Sequence, residues 1–171
     1  VPPCDDPAQR LHQLEERLRA LEDAEAIRSL KARYAELADA RYRGGRVAEP
    51  QELARLGDEV AGLFTEDAEW DGGPGLGVCR GRAAIAERFR TPTLLFARHY
   101  FVSPRIQLTG DRARADWEVL APCTTRDGRP HWMAGVEHDE YRRVDGRWLH
   151  ARMQLELVFF APHERGWAKK N

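Results

Sequence analysis

Three polar side chains stand where the surrounding pattern calls for apolar ones. His99 interrupts LLFARHYFVSPRI (residues 94–106), a run that otherwise looks like a buried strand. Alternation along it puts Ala97, His99, Phe101 and Ser103 on one face. An imidazole there is either a hydrogen-bonded core group or a general acid–base, since it exchanges a proton near neutral pH. Tyr34 and Asp39 lie in IRSLKARYAELAD (residues 27–39), a well-patterned helix. Tyr34 continues the stripe Ile27, Leu30, Leu37, so its ring faces inward. Its hydroxyl then meets a core partner, or donates to a substrate oxygen that gains negative charge. Asp39 sits about 140° further round a regular helix, so the two share a face only if the last turn loosens. A carboxylate there also meets the unfavourable end of the helix dipole, which marks either a functional group or an exposed one.

A second set lies nearer the C-terminus. RWLHARMQLE places Trp148, His150, Arg152 and Gln154 on one face of a regular strand. Arg152 in a cavity would hold a substrate carboxylate, a carbonyl or Asp39; otherwise it pairs with Glu137, Asp139 or Glu156. HWMAGVEHDEY alternates Met133, Gly135, Glu137, Asp139 and Tyr141 with Trp132, Ala134, Val136, His138 and Glu140. Glu137 either enters a pocket or neutralises Arg152, and His138 is expected to face solvent or a subunit contact. Phe101, Trp117, Trp132 and Met133 are the candidate apolar walls, with Glu137, Asp139 and Gln154 as candidate polar contacts. Arg114 and Asp116 have an Arg-x-Asp spacing, but their neighbours Ala113, Ala115, Trp117 and Val119 form the apolar face, which turns both outward. The six histidines lack the short paired spacings of a zinc site, so no metal is expected. GGPGLG (residues 72–77) lacks the Lys-Ser/Thr of a phosphate loop and reads as turns.

These residues must be positioned by a chain of 171 residues, enough for one domain with a real core. Apolar residues make up 42% and charged residues 32%, with a net charge of −1. No overall field favours nucleic acid or an anionic membrane, and no apolar stretch is long enough to span a bilayer. No signal peptide is expected from PPCDDPAQR. Cys4, Cys79 and Cys123 form no CxxC and leave an odd count, which suits a reducing cytoplasm.

Residues 1–10 are expected to be a disordered lead-in, 11–163 one domain and 164–171 a tail. Leu11, Leu14, Leu18 and Leu21 are spaced almost as a heptad seam, and the pattern resumes at Ile27, predicting one long or kinked helix over 9–42. The leucine seam packs on its own domain or pairs with a second subunit. RYRGGR ends the helix. A second helix follows Pro50, with Leu53, Leu56, Val60, Leu63 and Phe64 on one side. EWDGGPGLGV supplies turns around a short strand, and CRGRAAIAERFR a third helix. Four strand candidates then follow one another across the turns TGD, RDGRP and VDGR, an antiparallel meander. Helices first and a sheet afterwards is an α+β arrangement, with helices on one face of a curved sheet.

That order, with the phrases AIRSLKARYAELAD, LFTEDAEWDG, GRAAIAERF and DEYRRVDGRWLHAR, resembles the SnoaL-like (polyketide-cyclase) branch of the nuclear-transport-factor-2-like superfamily. The resemblance covers about 22–160 and implies a cone-shaped α+β barrel. The superfamily includes scytalone and bile-acid dehydratases, ketosteroid isomerase, small cyclases, epoxide hydrolases and non-catalytic subunits, so fold alone does not give function. Within the superfamily the chain resembles the dehydratases in particular. They place a tyrosine and an aspartate near the end of the first helix, a histidine on the strand after the third helix, and an arginine on the last strand. Tyr34, Asp39, His99 and Arg152 occupy the matching positions. Glu137 stands where the family usually has an aromatic residue, and Asp139 where it has an inward aspartate.

The resemblance implies a cofactor-independent lyase or isomerase acting on a hydrophobic, oxygenated ring compound such as a steroid or polyketide. His99 would move the proton, Asp39 would orient it, Tyr34 would donate to the substrate oxygen and Arg152 would anchor the substrate. Competing readings are a cyclase or pericyclase working by cavity preorganisation, an epoxide hydrolase using Arg114, Asp116 and Asp139, and a non-catalytic binding or assembly module. A homo-oligomer, dimer or trimer, is expected.

Overall fold

The computed structural model describes residues 6–44 and 46–164. The first helix, α1 (Pro7–Ala40), starts earlier than its periodicity implied, because Asp6 caps it and Pro7 occupies a first-turn position. Of the expected lead-in, residues 7–10 are therefore helical, and 1–5 lie outside the described residues, as do 165–171 of the tail. Leu11, Leu14, Leu18 and Leu21 are each more than half exposed, so the seam does not pack on its own domain. The buried stripe begins at Ile27 and runs through Lys31, Tyr34, Leu37 and Ala38 to Asp39. Lys31 takes the inward position that spacing alone assigned to Leu30.

A two-stranded ribbon, β1 (Tyr42–Arg43) and β2 (Arg46–Val47), follows where a loop was expected. Helix α2 (Pro50–Ala61) buries Leu53, Leu56 and Val60. The strand β3 (Phe64–Asp71) turns through residues 72–77 into β4 (Val78–Arg80), and α3 (Arg82–Arg90) buries Ile85, Ala86 and Phe89. The meander then runs from a short β5 (Phe96–Ala97) through β6 (Tyr100–Thr109), β7 (Arg112–Thr124) and β8 (Pro130–Val144) to β9 (Arg147–Pro162). The sheet order is β4-β3-β9-β8-β7-β5, with β6 also pairing with β7. All pairs are antiparallel except β3 with β9, which brings the early strand beside the last one. Helices against one face of a curved, mainly antiparallel sheet make the expected α+β cone.

Local chemistry explains the meander. Asp145 and Gly146 both take positive φ at the VDGR turn, the combination that lets two right-twisted strands reverse in two residues. Along β7 the residues Ala113, Ala115, Trp117, Val119, Ala121 and Cys123 are buried in strict alternation. Irregularities set the curvature. A Cβ at Gly135 would lie 2.5 Å from the Glu156 carbonyl oxygen, so only glycine permits the β8–β9 approach beside the register shift there. A second shift inserts Ala151 between the pairs Tyr141–His150 and Glu140–Arg152. The core gathers Tyr34, Leu56, Val60, Phe64, Trp70, Ile85, Phe89 and Met153 between helices and sheet.

Candidate active site

Asp39 is in the last turn of α1, buried, and faces the segment that joins β5 to β6. There the backbone N–H of His99 donates toward both carboxylate oxygens, at 3.1 and 3.2 Å. The imidazole closes back on the same group, with Nδ1 2.7 Å from Oδ1. Arg98 adds a cation 3.5 Å from Oδ2. These donors offset the unfavourable helix end and hold the carboxylate as an acceptor. A carboxylate accepts only, so the ring carries its proton on Nδ1 and presents Nε2 as the lone-pair nitrogen. Phe101 stacks parallel to the ring, 8° between planes and 6.0 Å between centres, which limits its rotation.

His99 borders two adjoining hollows. The larger, about 330 Å³, is lined by Leu76, Leu94, Met133, Leu155, Leu157 and Phe160 among others, an almost wholly apolar chamber. The smaller, about 60 Å³, is lined by Tyr34, Arg41, Tyr42, Trp70, Arg88 and Thr93. Tyr34 accepts a hydrogen bond from Trp70 Nε1 at 3.0 Å, which leaves its own O–H free to donate. Burial pushes the phenol well above its ordinary pKa, so it acts as a donor and not as a base. His99 and Tyr34 thus share a cavity, while Asp39 lies behind the imidazole.

Arg152 is not brought to this cavity. The inserted Ala151 breaks the alternation on which its inward placement rested: Met153 turns in, opposite Asp139, and Arg152 and Gln154 go to the outer face opposite Glu140 and His138. Arg152 lies 3.3 Å from Glu69, with its side chain 43% exposed, in a charged outer groove. Trp132 also points away and donates to His163 Nδ1 at 3.0 Å. Arg114 pairs with Glu140, and Asp116 with His138 and Arg105, all on the outer face, so they do not meet the inward Asp139. His138 is half-exposed and bridges Asp116 and Glu156, which raise its pKa.

Glu137 and Asp139 do point inward, toward a partner that spacing had not singled out. Lys31 Nζ donates to Glu137 Oε2 at 2.5 Å and to Asp139 Oδ2 at 2.7 Å. Tyr141 donates to the same Asp139 oxygen at 2.7 Å, and Trp117 Nε1 donates to Tyr141 at 3.0 Å. The ammonium also lies 4.3 Å from the centre of the Phe101 ring. His150 is wholly buried beside this cluster, and neither ring nitrogen has a hydrogen-bond partner among the described residues. Burial, helped by Lys31, pushes its pKa well down, so the ring is neutral. Burial, with the charge of Glu137, pushes Asp139 up to about 6 despite Lys31. The readable signal for Lys31 was a cation four residues from Ile27 and three from Tyr34 on an inward stripe, with two carboxylates alternating on a strand. Among the described residues no cluster of three or more His, Cys, Asp or Glu side chains could hold a metal ion. No helix among them is long and apolar enough to cross a membrane.

Comparisons with known proteins agree with this architecture. A hexachlorocyclohexane dehydrochlorinase, LinA type 2, superposes with a TM-score of 0.70 at 21% identity, over 90% of this chain and 98% of that one. A candidate scytalone dehydratase from Novosphingobium aromaticivorans gives 0.67 at 20% identity, over 89% and 97%. An NTF2-like protein with a cystatin-like fold from the same organism gives 0.66 at 26% identity, over 91% and 92%. No curated protein sequence matches significantly. The model of the SnoaL-like domain matches residues 19–154, from within α1 into β9. By its sequence pattern, its cone and this match, the chain belongs to the SnoaL-like family of the nuclear-transport-factor-2-like superfamily.

Proposed function

We propose that this protein is a cofactor-independent lyase or isomerase that removes a proton from carbon in a hydrophobic, oxygenated ring compound. One observation carries the reading: an imidazole clamped through Nδ1 by a buried carboxylate, with its other nitrogen free at the junction of an apolar chamber. His99 Nε2 accepts the proton, and Asp39 stabilises the imidazolium without touching the substrate. Tyr34, polarised by Trp70, donates to the enolate-like oxygen or to the departing hydroxyl. The chamber holds the ring and excludes water, which strengthens each of these interactions. A dehydrochlorinase removes HCl from its substrate and a dehydratase removes water; both names describe an elimination, and this supports the reaction class.

The test is His99→Gln, assayed on a panel of hydrophobic ring ketones and ring alcohols by new C=C absorbance and by deuterium exchange at carbon in D2O. Turnover should fall ~10²–10⁴-fold, the usual worth of a positioned acid–base group, with the thermal midpoint retained. A folded variant with wild-type turnover would remove His99 from the mechanism.

A further inference from the structure

The smaller hollow beside His99 contains two cations that proton transfer does not need. Arg41 caps the C-terminus of α1 and is buried. Its Nε donates to the Ala38 carbonyl at 2.8 Å, and its guanidinium lies 4.6 Å from the Phe89 ring centre and 5.2 Å from that of Tyr42. Among the described residues its terminal nitrogens have no hydrogen-bond partner and no carboxylate lies within ion-pair distance. Arg88, in the last turn of α3, borders the same hollow. Its terminal nitrogens donate to the Thr91 carbonyl at 3.1 Å and to Thr93 Oγ1 at 3.2 Å, while its Nε is buried without a partner. Burial, with Arg88 close by, lowers the pKa of Arg41. Asp39 acts on Arg41 only from beyond ion-pair distance, and its oxygens are already taken by His99 and Arg98.

The buried guanidinium of Arg41 has no carboxylate partner, and ring faces offset only part of the cost of burying it, while the half-buried Arg88 adds a second cation beside it. The rest of the lining supplies hydroxyls and aromatic surface but no acid. At about 60 Å³ the hollow takes a single planar group and not a ring. Leu76, Thr93, Leu94, Ala97 and His99 border both it and the apolar chamber. The geometry points to a carboxylate-binding subsite: Arg41 and Arg88 hold the carboxylate of an amphiphilic substrate whose hydrophobic body fills the chamber, with His99 between the two. The planar, multi-donor guanidinium suits a carboxylate better than it suits a neutral carbonyl. This rests on taking the cavity at His99 as the active site, and it names the class of compound that site accepts.

Benzoate and benzamide share a ring and differ in charge, so titrating each into the protein at about pH 8 reads the subsite without needing turnover. Calorimetry should show benzoate binding at least about tenfold more tightly than benzamide, the scale of one charge-assisted contact. Arg88→Met and Arg41→Met, checked for native circular dichroism, should bring the two ligands to parity without weakening benzamide. His99→Gln should keep the preference for the anion, which separates this inference from the role of His99 as a base. Parity in the wild type, no benzoate binding up to about 50 mM, or a preference that survives both arginine replacements would overturn the subsite.

Discussion

On the inner side of the sheet, two histidine–aspartate neighbours have opposite fates. At the rim, His99 and Asp39 are 2.7 Å apart, joined by a hydrogen bond and open to a chamber. In the interior, His150 Nδ1 and Asp139 are 3.8 Å apart, both wholly shielded, and Asp139 is instead engaged by Lys31 and Tyr141. Identical residue types therefore give a candidate proton-transfer dyad in one place and a structural polar core in the other. What separates them is access and the third partner. A histidine that is hydrogen-bonded through one nitrogen keeps the other for chemistry. A histidine sealed beside an ammonium is held neutral and reaches nothing.

The comparison can be broken first at the rim. Asp39→Asn leaves the shape but removes the charge that stabilises the imidazolium, so turnover should drop by ~10²–10⁴, comparable to His99→Gln, with little change in urea midpoint. Equal turnover in wild type and variant would make the clamp merely structural.

The interior should answer in stability. Lys31→Met strands two buried carboxylates and should lower the unfolding free energy by ~3–5 kcal/mol in urea titration. Adding Glu137→Leu and Asp139→Asn to it should recover most of that loss, since a neutral replacement set leaves no buried charge unpaired. A triple variant no more stable than Lys31→Met would show that packing, not charge, is at stake.

Acidity sharpens the contrast further. Burial pushes Asp139 up to about 6 from an ordinary 3.8, so the folded state takes up its proton first and this group adds stability as pH falls from about 6 toward 4. His150 works the other way. Its folded pKa lies well below 6.5, so the unfolded chain takes up the proton first and stability is lost below pH 6.5. His150→Phe removes only the second contribution. Between about pH 7 and about pH 5 the variant should lose less stability than the wild type, by up to ~2 kcal/mol. Superimposable pH profiles would mean that His150 titrates as it does in water.

The smallest effect is expected on the outer face. Arg152→Ala removes a half-exposed ion pair with Glu69, and should change stability by under ~1 kcal/mol and turnover by less than about twofold. A large loss of turnover would return Arg152 to the site that the family resemblance implied for it.

Much of this was readable in one dimension. Helical spacing in α1, the apolar alternation of β7 and the turn residues between strands are local signals, and they implied helices on one face of a curved sheet, while the cone came from the family resemblance. His99 was legible because a polar residue in an apolar run costs free energy unless it is partnered. Arg152 misled because a strand's facing is inherited along its length. One inserted residue, Ala151, reverses every assignment after it, and nothing in RWLHARMQLE marks the insertion. Lys31 was passed over because lysine is ordinarily solvated, and its two carboxylates are more than a hundred residues away.

By itself, then, the order of residues determined the main helices and the meander, their sequence along the chain and the residue types able to move a proton. Periodicity and turn chemistry act over a few neighbours, so they can be read locally. Which groups meet was decided only by the tertiary structure. The wrap of the β5–β6 segment around the end of α1 gave Asp39 to His99, and the parity of β8 and β9 gave Glu137 and Asp139 to Lys31. Side-chain contact depends on register and curvature summed over distant strands, and a single bulge changes both.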